Sequence, residues 1–198
     1  LIRQRGWRYL GVYDVGRGGL SAVRNLPRTG PGFSGWYGRA LMGDALMALP
    51  YLAGVSTEPV LAFIGDGARA MAPAVEMRLL QALARNPHGR DIAVCVFYLN
   101  NGVLSLIQTY LDKRLARDGR QQLSLPPQAP PPAAEHGACR LRHVRLDDFN
   151  PAVLEAALCA GGQVTVFDAP MIHNSDGDGL SLLSETAWTR RLPPAGPA

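Results

Sequence analysis

The chain has 198 residues, 47% hydrophobic and 18% charged, which excludes whole-chain disorder and gives one sizeable core. No apolar run approaches the ~20 residues of a membrane span, and the start Leu1-Ile2-Arg3-Gln4-Arg5-Gly6 lacks a signal peptide's apolar stretch, so a soluble, cytoplasmic protein is expected. The net charge of +4 is scattered over arginines, with Lys113 the only lysine and no groove-reading motif, so nucleic acid is not an expected partner.

Apolar runs of strand length alternate with stretches of helical spacing. Tyr9 to Tyr13 reads as a strand, and Asp14 to Gly19 as a Gly-rich turn. Gly38 to Leu49 reads as a helix stopped by Pro50. Val60 to Ile64 is a short β-rich run, and Ala72 to Ala84 returns to helical spacing. Ile92 to Leu99 is unbroken apolar sequence, as suits a strand buried on both faces of a parallel sheet. Val103 to Leu115 has helical spacing, Arg140 to Leu146 alternates, and Pro151 to Ala160 opens like a helix with an early proline. Gln163 to Phe167 is a last strand. The pattern predicts an α/β fold, a mainly parallel sheet with helices on both faces, in one domain over 1–198. A Pro-rich connection at 124–135 with five prolines interrupts it, and the tail 190–198 is expected to fray. Cys95, Cys139 and Cys159 form no C-x-x-C pair and read as buried free thiols. Met42, Met47, Met71 and Met77 read as core.

Ligands of such sheets sit at the carboxyl ends of strands. Two ends carry unusual polar residues: Val60–Ile64 runs into Gly65-Asp66-Gly67-Ala68, and Ile92–Leu99 into Asn100-Asn101-Gly102-Val103. A carboxylate and a carboxamide at neighbouring strand ends offer hard oxygen ligands to Mg²⁺. Glycines let backbone N–H groups approach a phosphate, and helix N-termini favour its charge. The residues therefore point to Mg²⁺ bridged to a diphosphate.

Gly65-Asp66-Gly67 followed by Asn100-Asn101 resembles the signature of thiamine diphosphate (ThDP) enzymes. Asp14-Val15-Gly16 resembles the opening of the diphosphate-binding domain in the acetohydroxyacid synthase and 2-oxoacid decarboxylase group. Gly32-Phe33-Ser34-Gly35-Trp36-Tyr37-Gly38 resembles the segment supporting the aminopyrimidine, and Glu135-His136-Gly137-Ala138 with the run to Pro170 resembles that domain's close. The resemblance covers about residues 8–172. It implies that Asp66, Asn101 and the Val103 carbonyl ligate Mg²⁺, with Leu104 beside them. It implies that Gly65, Gly67, Ala68 and the loop Gly16-Arg17-Gly18-Gly19 meet the diphosphate. It places Trp36, or in another register Gly35 or Tyr37, where the family props the cofactor into its bent form. Asn86-Pro87-His88-Gly89-Arg90 reads as an insertion at the far end of the sheet.

Nothing resembles the domain that supplies the glutamate for the pyrimidine. The resemblance therefore implies that this glutamate comes from another chain or from a portion of the protein beyond this sequence; in the first case the expectation is a second subunit carrying that domain, a two-component enzyme and a heterotetramer. Simple decarboxylases of the group carry a glutamate six residues after the second asparagine, and here that position is Ile107. An apolar wall offers no proton donor, so the acyl-anion equivalent from a 2-oxo acid would live to attack an acceptor carbonyl, as in acetolactate synthase-like carboligases. Tyr110 falls near the acceptor pocket's aromatic, and His173 is placed to face substrate and transfer a proton. Alternatives are a simple decarboxylase subunit, a ThDP dehydrogenase component and a non-catalytic scaffold of the same fold. Gly16-Arg17-Gly18-Gly19 lacks the third glycine of a dinucleotide loop. Asn174 to Gly179 with Glu185 only loosely matches a calcium loop. His136 reads as a capping or packing residue, and His88 and His143 as surface or strand residues.

Overall fold

A computed structural model describes residues 1–35, 41–105, 107–108, 124–148 and 150–171, with Arg17 by its backbone only. The chain divides into two units, Leu1–Asn101 with Pro126–Ile172, and Gly102–Leu125 with His173–Ala198.

The first unit is a sheet wrapped by helices. In chain order it contains α1 (Ile2–Arg5), β1 (Leu10–Tyr13), α2 (Arg17–Asn25), β2 (Gly32–Ser34), α3 (Asp44–Val55), β3 (Val60–Gly65), α4 (Asp66–Met71) and α5 (Val75–Arg85). It continues with β4 (Ala93–Asn100), β5 (Ala134–His136), β6 (Cys139–Arg145), α6 (Pro151–Leu158) and β7 (Gln163–Pro170). Among the described residues seven strands form one sheet in the order β2-β1-β3-β4-β7-β6-β5. Every neighbouring pair is parallel except β5–β6, an antiparallel hairpin at the edge. The predicted α/β class is therefore observed. The chain leaves β1 toward β2 on one side and leaves β3 toward β4 on the other. The gap between β1 and β3 is thus the sheet's switch point, where such folds bind ligands.

Two apolar layers hold the sheet. On one face Leu46 and Leu49 of α3, Leu79, Leu80 and Leu83 of α5, and Val94, Val96 and Val164 of the strands share one cluster. On the other, Leu154 and Ala157 of α6 pack with Leu61, Cys95 and Phe167, with Leu1 and Ile2 against them. A row of aromatics crosses that second face at matched register. Tyr13, Phe63, Phe97 and Phe167 stack with centroid spacings of 6.2, 4.8 and 4.7 Å. Such cross-strand pairs fix strand registration through side-chain contact. Along β6 Cys139 and Leu141 are buried and Arg140 and Arg142 exposed, as the alternation predicts for a strand wet on one face. Asn150 caps α6 by accepting from the N–H groups of Ala152 and Val153 at 3.0 and 3.3 Å, with Pro151 just inside.

Several predicted features are corrected. Pro50 does not stop its helix, because α3 runs from Asp44 to Val55 with Pro50 inside it. An interior proline costs about 3 kcal/mol. Complete burial of Leu46, Leu49, Ala45 and Ala53 outweighs it, at about 2 kcal/mol for each leucine. The Gly-rich turn is shorter than predicted. Gly16 makes it, at φ 125°, and α2 has begun by Arg17. The Pro-rich connection ends in a strand, since 134–136 pair with β6. Met47 and Met71 are exposed, not core, while Met42 and Met77 pack against the first cluster. Cys159 is exposed at the end of α6, whereas Cys95 and Cys139 are buried, and all three are free. His136 is exposed on β5 rather than packed in the core, and His88 is exposed as expected. The 86–90 insertion sits at the amino ends of the strands. There the buried Asn86 donates to the carbonyls of Ala53 and Ser56, both at 2.8 Å.

Candidate functional site

The Gly-Asp-Gly and Asn-Asn segments meet at the carboxyl ends of β3 and β4. The pair is in register from Val60 with Val94 to Gly65 with Leu99, so the residues that follow emerge side by side. Gly65 is extended at φ −80°, ψ 156°, and Asp66 opens α4. Both oxygens of Asp66 accept backbone N–H groups: Oδ1 from Gly67 at 2.8 Å, and Oδ2 from Asn101 at 3.0 Å. One carboxylate thus ties the two limbs of the motif together. Asp66 and Asn101 are half-buried, while Gly67 and Ala68 are buried beneath them. A half-exposed carboxylate beside a carboxamide is hard-oxygen chemistry suited to Mg²⁺. Among the described residues no group of three His, Cys, Asp or Glu side chains gathers to hold a metal. A cation here would complete its shell from backbone, ligand and water oxygens.

The carboxyl end of β1 is built around Asp14, only 1% exposed. Its carboxylate accepts from Val15 N at 2.8 Å and from Gly43 N at 2.9 and 3.1 Å. Gly43 is the cap of α3, at φ 93°, so Asp14 holds that helix start against β1. Burial without a countercharge raises the Asp14 pKa to about 6 although these N–H groups lower it. Gly35 is buried and donates its N–H to Tyr13 O at 2.9 Å, and a side chain there would press on Asp14. A Cβ at Gly19 would overlap the carbonyl oxygen of Asp14, and one at Gly18 would overlap Leu99. Glycine is required at Gly19, where the obstacle is backbone, whereas at Gly18 the obstacle is the end of the Leu99 side chain; the first turn of α2 lies close to β1 and β4. An anion at this end would meet the N-terminus of α2, where the helix dipole favours it.

Beneath the Asp66–Asn101 pair lie groups that the sequence reading did not single out. Arg69 of α4 is buried, with Cζ 4.4 Å from the ring centre of the fully buried Tyr98. Its Nε is 3.4 Å from Glu76 of α5, and its Nη2 donates to Ala129 O at 3.0 Å. Farther along the strand ends the Asn100 amide donates to Asp168, whose other oxygen is 3.9 Å from His143 Nε2. Burial lowers the His143 pKa, with Asp168 opposing. Arg69 adjoins the Gly-Asp-Gly-Ala segment, but a lone arginine reads as a solvated charge. Only the tertiary structure shows it turned inward.

The remaining predicted site residues are placed as follows. Gly16 precedes α2, and Arg17, Gly18 and Gly19 form its first turn. Val103 and Leu104 belong to the second unit. There Val103 bridges to Ser124, the Ser105 N–H donates to Val103 O at 3.0 Å, and the Gln108 N–H donates to Leu104 O at 2.9 Å. Ile107, in the same unit, is 45% exposed. Trp36, Tyr110, His173 and the 174–179 segment lie outside the described residues.

Comparison with known proteins gives one family and two relatives. The model of the family described as "Biosynthesis protein PigD C-terminal domain" matches residues 1–173. The "Thiamine diphosphate dependent-3-acetyloctanal synthase PigD" of Serratia sp. (strain ATCC 39006) is 39% identical over 192 residues, 96% of this chain and 22% of that protein. The protein of the same name from Serratia marcescens is 41% identical over 182 residues, 91% of this chain and 20% of that protein. The chain thus spans about a fifth of the length of the curated relatives it matches.

Proposed function

The chain belongs to the PigD C-terminal domain family, and on that premise we propose that it is the part of a ThDP-dependent enzyme that holds the cofactor's diphosphate and its Mg²⁺. The observation that carries this reading is the Asp66–Asn101 pairing at adjacent strand ends. The residues present suit the group. Asp66 and Asn101 would hold the metal by side-chain oxygens, with the Val103 carbonyl as third protein ligand and Leu104 alongside. Gly67 and Ala68, in the first turn of α4, and the Gly16-Arg17-Gly18-Gly19 segment would meet the diphosphate oxygens. Gly65 would bring the backbone close, and Gly35 with Trp36 would support the rest of the cofactor.

When bound, ThDP supplies the electron sink on which a 2-oxo acid loses CO₂ and its acyl group passes to an acceptor. This chain's residues anchor and orient, and they set what surrounds the reacting atoms. Ile107 has no proton to give, which favours ligation to an acceptor over release of an aldehyde. The product named for the relatives, 3-acetyloctanal, carries an acetyl group on a longer carbon chain, which supports ligation as well. Tyr110 would shape the acceptor pocket, and His173 would hold or move a proton at the substrate. The pyrimidine-binding domain and its activating glutamate lie elsewhere, on a partner subunit of a heterotetramer or in a longer polypeptide. The length of the relatives favours the second arrangement. The setting is cytoplasmic.

The test is calorimetric titration of the protein with ThDP in the presence of Mg²⁺, for the wild type and for Asp66→Ala. The reading requires Mg²⁺-dependent ThDP binding by the wild type and its loss, with the metal, in the variant. Unchanged ThDP affinity in Asp66→Ala would sink it.

A further inference from the structure

Asp66 opens α4, whereas Asn101 follows β4, so the two proposed Mg²⁺ ligands hang from different segments. Metal–ligand distances tolerate only about 0.2 Å. Something must therefore hold α4 on β4. The Asn101 N–H to Asp66 Oδ2 bond links them directly, but it uses an oxygen of the very carboxylate that needs placing. Helix α4 has six residues and an exposed end at Ala70 and Met71, too short to be rigid by itself.

Beside the packing of Ala68 in the apolar cluster, Arg69 supplies a polar connection. One turn beyond Asp66 its side chain runs inward and is 5% exposed. The guanidinium lies over Tyr98, three residues before Asn101 on β4. It also reaches Glu76 on α5 and Ala129 in the Pro-rich connection. One planar cation thus ties α4 to β4, α5 and the Pro-rich connection. Its Nη1 is buried and has no hydrogen-bond partner among the described residues, so the group is not arranged for greatest stability. Buried ion pairs seldom stabilise a fold more than apolar side chains of equal volume, and their best-attested use is to select one geometry.

We propose that Arg69 is a positioning residue that braces α4 against Tyr98 and Glu76 and so fixes the spacing of Asp66 and Asn101. This rests on the reading of that pair as the Mg²⁺ site.

The test replaces both charges at once, Arg69→Met with Glu76→Met, so that no lone charge stays buried. Urea unfolding reports the fold, and Mg²⁺ titration in the presence of ThDP reports the site. The expected result is an unfolding midpoint no lower than that of the wild type, with an Mg²⁺ dissociation constant raised about tenfold or more, as for removal of other supports behind a metal ligand. Arg69→Lys, which keeps the charge but loses the fork and the flat stacking face, should fold and bind Mg²⁺ with intermediate affinity. A folded double variant that binds Mg²⁺ within about twofold of the wild type overturns the proposal. An unfolded double variant overturns it too, since the pair would then hold the fold. A wild type that takes up no Mg²⁺ with ThDP removes the parent reading, and the brace with it.

Discussion

Replacing Asp14 by Asn removes a titration while keeping the side chain's shape. Asp14 is 1% exposed, and burial raises its pKa from 3.8 to about 6. Raising the pKa from 3.8 to about 6 corresponds to about 3 kcal/mol between the two ends of the titration. The sign follows from which state releases its proton first. As pH rises from about 4, the unfolded chain ionises Asp14 while the fold still holds the proton. Stability from this group is therefore full at low pH, falls between about pH 4 and pH 6, and is flat above. The Asn variant has no such fall. It carries a constant penalty of about 1–3 kcal/mol, because an NH₂ group replaces one acceptor oxygen and, in the Oδ2 place, faces the Gly43 N–H donor. The informative quantity is the variant-minus-wild-type stability at about pH 4 compared with about pH 7, which should move by about 3 kcal/mol in favour of the variant. With a urea dependence of about 2 kcal/mol per M, that is a relative midpoint change of about 1.5 M. Parallel stability curves across that range would refute the claim that Asp14 is buried without a compensating charge.

Other perturbations separate the site from its scaffold. Asn86→Ala leaves the carbonyls of Ala53 and Ser56 without their donor and should cost about 2–4 kcal/mol in unfolding. It lies at the other end of the sheet, so calorimetry on the folded variant should return the wild-type ThDP affinity. Gly19→Ala drives a Cβ into the carbonyl oxygen of Asp14 and should lower both the unfolding temperature and the ThDP affinity. His143→Gln tests a second, half-buried titration. With its folded pKa lowered, His143 contributes stability above about pH 6.5 that is lost as pH falls, so the variant's urea midpoints should fall less on the acid side. A thiol-reactive dye should label Cys159 rapidly and Cys95 only after unfolding, because burial pushes the Cys95 thiol up to about 12.

Much of the fold was legible from residue order because parallel α/β units repeat one physical rule. The unbroken run Ile92–Leu99 had to be covered on both faces, and β4 lies at the centre of the sheet. The alternation along 140–146 likewise marked a strand with one wet face. Asp66 and Asn101 were legible as a pair because two strand ends carried oxygen-bearing side chains in an apolar setting. Local signals failed where tertiary contacts decide. Pro50 breaks isolated helices, yet four buried neighbours carry α3 through it. Helical spacing marked Met47 as core, but it faces outward. The edge strand 134–136 is short and exists by pairing with β6, which no local pattern announces. Arg69 and Glu76 are charged, and a sequence alone places charges in water. Asp14 was visible only as part of a resemblance. Its grip on Gly43, 29 residues later, depends on the return of the chain.

On the proposed function, Asp66 and Asn101 share one divalent cation bound to a diphosphate. The most direct measurement is a crystal structure of the protein grown with Mn²⁺ and ThDP, with the metal located by its anomalous scattering. The expected result is a single strong peak within about 2.3 Å of an Asp66 carboxylate oxygen and of the Asn101 side-chain oxygen, in contact with diphosphate oxygens. A structure with ThDP bound and no metal peak between these side chains, or with the diphosphate at another edge of the sheet, would contradict it.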